Sequence, residues 1–138
     1  MWLHAVAVGV GGALGALARH GVLLAMSRSG PEGLRGARAA GHWVWATCVI
    51  NLVGCLALGI LVGWFQRQSA MDERWKALVV TGFLGAFTTF STFAGDAVRL
   101  GDEKDMASAL AYVLATVIGG IALCIAGIAL GRVAAGPG

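Results

Sequence analysis

The sequence is poor in charge. Asp, Glu, Lys and Arg make up only 12% of its 138 residues, whereas a soluble domain carries about 25%. Against this shortage stand 58% hydrophobic residues and a mean hydropathy of +0.80. A chain this small cannot hide that much apolar surface in one soluble core, so lipid is the expected solvent and membrane lipid its standing partner. The net charge of +3 does not imply nucleic acid. The ten basic residues are scattered between apolar runs, whereas a nucleic-acid binder clusters them on one face or stretch. They read as charges flanking membrane segments.

Other absences narrow the class further. Cys48, Cys55 and Cys124 all fall inside apolar runs, with no C-x-x-C and no pairing pattern. Neither a disulfide framework nor a metal site follows, and small buried hydrophobes are expected. The opening Met1-Trp2-Leu3-His4 lacks the basic start of a secretory signal, so the first apolar run is expected to persist as a helix. There is no Ser/His/Asp set, no metal-ligand cluster and no phosphate loop, so no enzyme is expected. No internal repeat supports a transporter built from two halves of one chain.

What is present is four apolar runs near the ~20 residues a membrane helix needs: residues 3–26, 43–65, 77–95 and 106–131. The expected fold is an all-α integral membrane protein, with residues 1–138 forming a single transmembrane domain. Trp2, Trp43, Trp45, Trp64 and Trp75 mark span ends, where an amphipathic ring settles at headgroup level. The connections 27–42, 66–74 and 99–105 are short and polar. Counting Lys and Arg by side, Arg67, Arg74, Lys76 and Arg132 oppose Arg28, Arg35, Arg38, Arg99 and Lys104. Four against five is no clear bias, and orientation follows that bias. Either the chain inserts both ways, which makes an antiparallel homodimer natural, or the count is too small to read. Gly11/Gly15, Gly59/Gly63 and Gly127/Gly131 are G-x-x-x-G spacings, which let membrane helices approach closely.

Function in a membrane is sought at polar groups that are costly to bury. Arg19 lies inside the first span. A central Arg costs about 3 kcal/mol, so it snorkels, pairs, lines water, or marks an earlier span end. Thr47 and Asn51, four apart, share a face of the second span. The Asn51 amide offers two donors, either to an interhelical bond or to a pore. Ser108, Tyr112 and Thr116 form a stripe in the fourth span.

The third span is the most unusual. Thr81, Thr88, Thr89, Ser91 and Thr92 share it with Phe83, Phe87, Phe90 and Phe93. Thr-Thr between Gly82, Gly85 and Gly95 is poor continuous helix, which predicts a break near the bilayer middle. Such a break is tolerated where backbone is buried in protein or lines a cavity, and it frees carbonyls that can coordinate a cation. Hydroxyl and amide donors with no nearby full charge suit a small, strongly hydrogen-bonding anion that must be stripped of water and still leave. Phe90 and Phe93 can turn electropositive ring edges toward it, while Phe83 and Phe87 read as packing. Asp96, the one acid close to a span, reads as a gate or entry residue or as a helix-end charge.

These residues resemble a known family. Gly82-Phe83-Leu84-Gly85 followed by Thr88-Thr89-Phe90-Ser91-Thr92-Phe93 is similar to the signature of the Fluc (CrcB) fluoride channels. Asn51-Leu52-Val53-Gly54 resembles their second signature, and Gly11-Gly12-Ala13-Leu14-Gly15-Ala16-Leu17-Ala18-Arg19 their first helix. The resemblance implies a dual-topology antiparallel homodimer in the bacterial inner membrane, exporting fluoride passively and selectively through two pores. It implies a structural Na⁺ at the dimer centre, held by the backbone carbonyls of Gly85 and Thr88. It places Asn51, Phe90, Phe93, Tyr112 and Thr116 on the fluoride pathway, with Arg19, Thr47, Ser91, Thr92 and Asp96 beside them. Three features depart from the family: Asp96 stands where a Glu is expected, Gly120 where some members carry a hydroxyl, and the first loop is long. A second reading is a small dual-topology proton-coupled multidrug exporter, which resembles its kind by an acid inside the first helix, where this chain has Arg19. A third is an assembly subunit that uses only its glycine faces.

Overall fold

Apolar runs in lipid satisfy their backbone internally as helices, and every element of the computed structural model is helical among the described residues, 1–28, 42–68 and 72–136. Most of the first loop, with Arg35 and Arg38, lies outside them, as do residues 69–71 and 137–138 and the side chains of Arg28 and Trp43. The elements are α1 (Trp2–Arg28), α2 (His42–Phe65), α3 (residues 73–87), α4 (Phe90–Glu103) and α5 (Met106–Ala134). Four stretches are long and apolar enough to cross a membrane: Trp2–Met26, Val44–Phe65, Glu73–Glu103 and Met106–Ala134. Val6, Val10, Leu14 and Leu17 on α1 and Ile118, Ile121 and Ile125 on α5 are exposed. Apolar stripes of this size belong in acyl chain. The chain is a multi-pass membrane protein.

Two helix pairs form the framework. α1 lies on α3, and α2 lies on α5. Glycine permits both approaches. A Cβ on Gly11 or Gly15 would overlap the carbonyl oxygen of Leu78 or Phe83. Between α2 and α5 the arrangement is reciprocal: Gly59 and Gly63 sit under the carbonyls of Cys124 and Ile128, and Gly127 and Gly131 under those of Leu56 and Ile60. All three G-x-x-x-G spacings therefore act as helix-packing surfaces.

The third span joins the pairs. α3 begins as a short α-helical turn, Glu73–Lys76, capped where Asp72 Oδ1 accepts from the Arg74 N–H at 2.9 Å. It widens into a π-helical stretch, Ala77–Leu84, and ends in the turn Gly85–Phe87. At Thr88 (φ −77°, ψ 158°) and Thr89 (φ −151°, ψ 111°) the backbone is extended. The predicted break is present. Past it, α4 turns toward α5, burying Phe93, Asp96 and Leu100. These spacings of three and four form one helix face. The core beyond the break is Val44 and Cys48 of α2, Phe93 and Leu100 of α4, and Ala109 and Tyr112 of α5. α4 runs on to Glu103, so Asp96 lies in mid-helix and is not a helix-end charge.

Candidate functional site

The break is held by hydrogen bonds from three directions. Asn51 Oδ1 accepts the Thr89 N–H at 2.9 Å, and Asn51 Nδ2 donates to the Thr89 carbonyl at 3.3 Å. Thr89 is also the N-cap of α4: its hydroxyl accepts from the Thr92 N–H at 3.3 Å and donates to Thr92 Oγ1 at 2.9 Å. Ser91 Oγ lies 3.5 Å from Thr89 Oγ1. On the other side, the Thr88 N–H and hydroxyl both donate to the Leu84 carbonyl, at 3.0 and 2.9 Å. That closes the last turn of α3 in the way Thr commonly back-bonds a helix.

In an unbroken helix each N–H donates to the carbonyl four residues earlier. The N–H of Thr89 would reach Gly85, and that of Thr92 would reach Thr88. Both donors are diverted, to Asn51 and to Thr89 Oγ1. Gly85 and Thr88, the two positions expected to offer carbonyls to a cation, are thus among the carbonyls at the break whose helical donors are lost, and theirs are held by Asn51 and Thr89 Oγ1.

Two cavities flank the break. A groove of about 460 Å³ opens between α2, the break and α5, bordered by Asn51, Gly85, Thr88, Thr89, Phe90, Phe93 and Thr116. Its polar groups are neutral amides, hydroxyls and backbone. Phe93 is buried, whereas Phe90 is 80% exposed and projects from the chain. The rings meet at 5.8 Å and 48°, and Phe93 meets Tyr112 at 5.4 Å. A second cavity of about 250 Å³, on the α1 side, is lined by Ala16, Arg19, His20, Leu23, Thr47, Ile50, Thr89 and Thr92. Arg19 and His20 therefore border a cavity with hydroxyls. Thr89 belongs to both walls.

The remaining expected site residues fall elsewhere. Ser91 is exposed and Tyr112 buried. The Thr116 hydroxyl donates to Cys48 Sγ at 3.4 Å. Asp96 is buried beside the hydroxyls of Thr47 and Tyr112, yet neither Asp96 Oδ2 nor Tyr112 Oη has a hydrogen bond of good geometry. Ser108 leaves the expected stripe, because Asp105 Oδ1 accepts its N–H at 2.7 Å and Asp105 Oδ2 its hydroxyl at 3.0 Å. The three cysteines are free, with Cys48 buried and the others half-buried. Phe83 and Phe87 stack at 5.9 Å, as packing residues do. Thr89 and Asp105 are residue types that N-caps favour, and each holds the N–H three residues on.

A break clamped by Asn51, with a Gly-x-x-Gly turn before it and Thr-Thr-Phe-Ser-Thr-Phe across it, is the arrangement that the similarities then explain. The sequence profile of the family described as "CrcB-like protein, Camphor Resistance (CrcB)" matches residues 6–128. The chain belongs to this family. Among its relatives, a protein of Methylobacterium nodulans is 42% identical over 120 residues, covering 87% of this chain and 89% of its own. One from Stutzerimonas stutzeri is 38% identical over 128 residues, covering 93% and 96%. One from Chloroflexus aurantiacus is 35% identical over 128 residues, covering 92% and 94%. Each of the three is named a fluoride-specific ion channel FluC. The CrcB match takes in most of α1 and α5 and all of α2, α3 and α4, in keeping with the resemblance read over the four spans from residues 11–19, 51–54 and 82–93.

Proposed function

We propose that this CrcB-family chain is one subunit of a fluoride-selective channel that lets fluoride leave the cytoplasm passively across the bacterial inner membrane. The observation that carries the reading is the groove at the break. Its polar groups are neutral: the second N–H of Asn51, and the hydroxyls of Thr89 and Thr116, which would turn from Thr92 and Cys48 to meet an anion; its apolar wall includes Phe90 and Phe93. A small anion needs its hydration replaced by donors, but not by a full positive charge that would trap it. Ring edges extend the path where donors end. Three relatives named as fluoride-specific channels support the choice of anion.

The functional unit is proposed to be an antiparallel homodimer. Phe90 projects 80% exposed beside an open groove, and a second copy related by a two-fold axis in the membrane plane would cover both. Apposing the two breaks brings the Gly85 and Thr88 carbonyls of both subunits together. These neutral oxygens, with their helical donors diverted, suit Na⁺, which unwound membrane backbone is known to coordinate. The ion would act structurally, offsetting the mutual repulsion of the assembled carbonyl dipoles. The exporter reading is not favoured, since α1 contains no acid and carries Arg19 instead.

Purified protein in liposomes should release internal fluoride and retain chloride. Fluoride efflux no faster than from protein-free liposomes would remove the proposal; release of both anions would remove its selectivity.

A further inference from the structure

Asn51 and Gly54 stand three apart on α2, on one face of the helix, and both touch the break. The Asn51 amide pairs with the whole peptide of Thr89, accepting its N–H and donating to its carbonyl. One turn along, Gly54 leaves room for the Thr88 methyl: a Cβ there would overlap Thr88 Cγ2. α2 thus presents an amide for one threonine and a hollow for the next.

The Thr89 N–H has two competing acceptors. One is Asn51 Oδ1, which holds it at 2.9 Å. The other is the Gly85 carbonyl, which an unbroken helix would use. Only the first choice keeps Thr88 and Thr89 extended and leaves Gly85 without its helical donor. Pairing with Thr89 also occupies one N–H of the Asn51 amide, so a single N–H is left for any other ligand.

We infer that Asn51, seated with Gly54, is a positioning residue for the central cation site, acting through the Thr89 peptide to keep the Gly85 and Thr88 carbonyls available. The inference rests on the reading of those carbonyls as Na⁺ ligands. It gives Asn51 a duty separable from fluoride permeation. Asn51→Ala returns the Thr89 N–H to Gly85 or strands it. Asn51→Asp keeps an oxygen in place to accept it. Gly54→Ala pushes on the Thr88 methyl from the same face of α2, so that Thr88 must turn its hydroxyl off the Leu84 carbonyl or shift its backbone.

The test uses the full-length dimer in detergent, with thermal stability followed as Na⁺ replaces N-methylglucamine at constant ionic strength. The wild type should be stabilised by Na⁺. The Na⁺ concentration giving half the stabilisation should rise about tenfold or more in Asn51→Ala, the scale on which supporting residues act on a bound metal. It should rise likewise in Gly54→Ala and stay within about threefold of wild type in Asn51→Asp. A wild-type midpoint in Asn51→Ala, whatever its fluoride flux, overturns the inference while leaving the cation site standing. If Asn51→Ala does not fold, a wild-type midpoint in Gly54→Ala overturns it instead. A wild type insensitive to Na⁺ refutes the cation site itself, and the positioning role with it.

Discussion

Phe90 and Phe93 are three residues apart and identical in chemistry, yet they occupy opposite environments. Phe93 is packed on Tyr112 within the chain, while Phe90 stands 80% exposed at the groove. Isoleucine at position 90 keeps the bulk and apolarity but has no electropositive ring edge. Phe90→Ile should therefore abolish fluoride efflux from liposomes while leaving the dimer intact by size-exclusion chromatography. Efflux at the wild-type rate would show that the ring edge is not used. Thr89 carries a different load, as N-cap of α4 and partner of Asn51. Thr89→Ala removes the cap and should cost about 1 kcal/mol of stability, whereas Thr89→Ser keeps the hydroxyl and most of that stability. Chemical denaturation of the two variants in detergent separates them.

Among the elements, α2 and α5 depend on each other most closely. Their glycines place backbone on backbone, and the Arg132 guanidinium donates twice to Gln66 Oε1, at 3.0 and 2.9 Å, where the pair ends. A leucine at Gly59 or Gly127 has no space. Either variant should fail to yield a stable, monodisperse protein, whereas Gly9→Leu, with nothing near its Cβ position, should behave as wild type in the same purification. The start of α5 makes a pH prediction. The N–H and hydroxyl of Ser108 hold the Asp105 carboxyl below its ordinary range. A carboxyl lowered on folding contributes stability that is complete above its unfolded value, about 3.9, and is lost as pH falls through the lower folded value. The thermal stability of the wild type should thus drop more steeply below about pH 4 than that of Asp105→Asn, which caps without titrating. Parallel curves would mean the cap is not coupled to folding.

For the molecule as a whole, the break is where the helix pairs exchange partners. α3 belongs to α1, α4 to α5, and the polar groups collect at the crossing. Lys and Arg are nearly balanced between the two sides of the spans, and that balance is the main determinant of orientation. If the dimer is antiparallel, a cysteine placed at a loop position should be labelled by an impermeant reagent from both sides of the membrane in comparable amounts. Labelling from one side alone would exclude dual topology.

Much of this was legible in the chain. Composition and run length give the membrane setting and the helices, because apolarity is a property of residues and needs no knowledge of neighbours. The Thr-Thr between glycines gives the break, because its cause is local backbone preference. Tertiary structure decided the rest. The third span runs past Asp96, which α4 buries beside Thr47 and Tyr112, residues distant in sequence. Asn51 read equally as an interhelical bond or a pore donor, and only packing set it against Thr89, 38 residues away. The hydroxyls divide by range: Ser108 and Thr89 serve local caps at the starts of α5 and α4, while Thr116 donates to Cys48, 68 residues away. A hydroxyl's partner is whichever donor or acceptor the fold brings within about 3 Å, and for a residue far along the chain no local pattern encodes that distance.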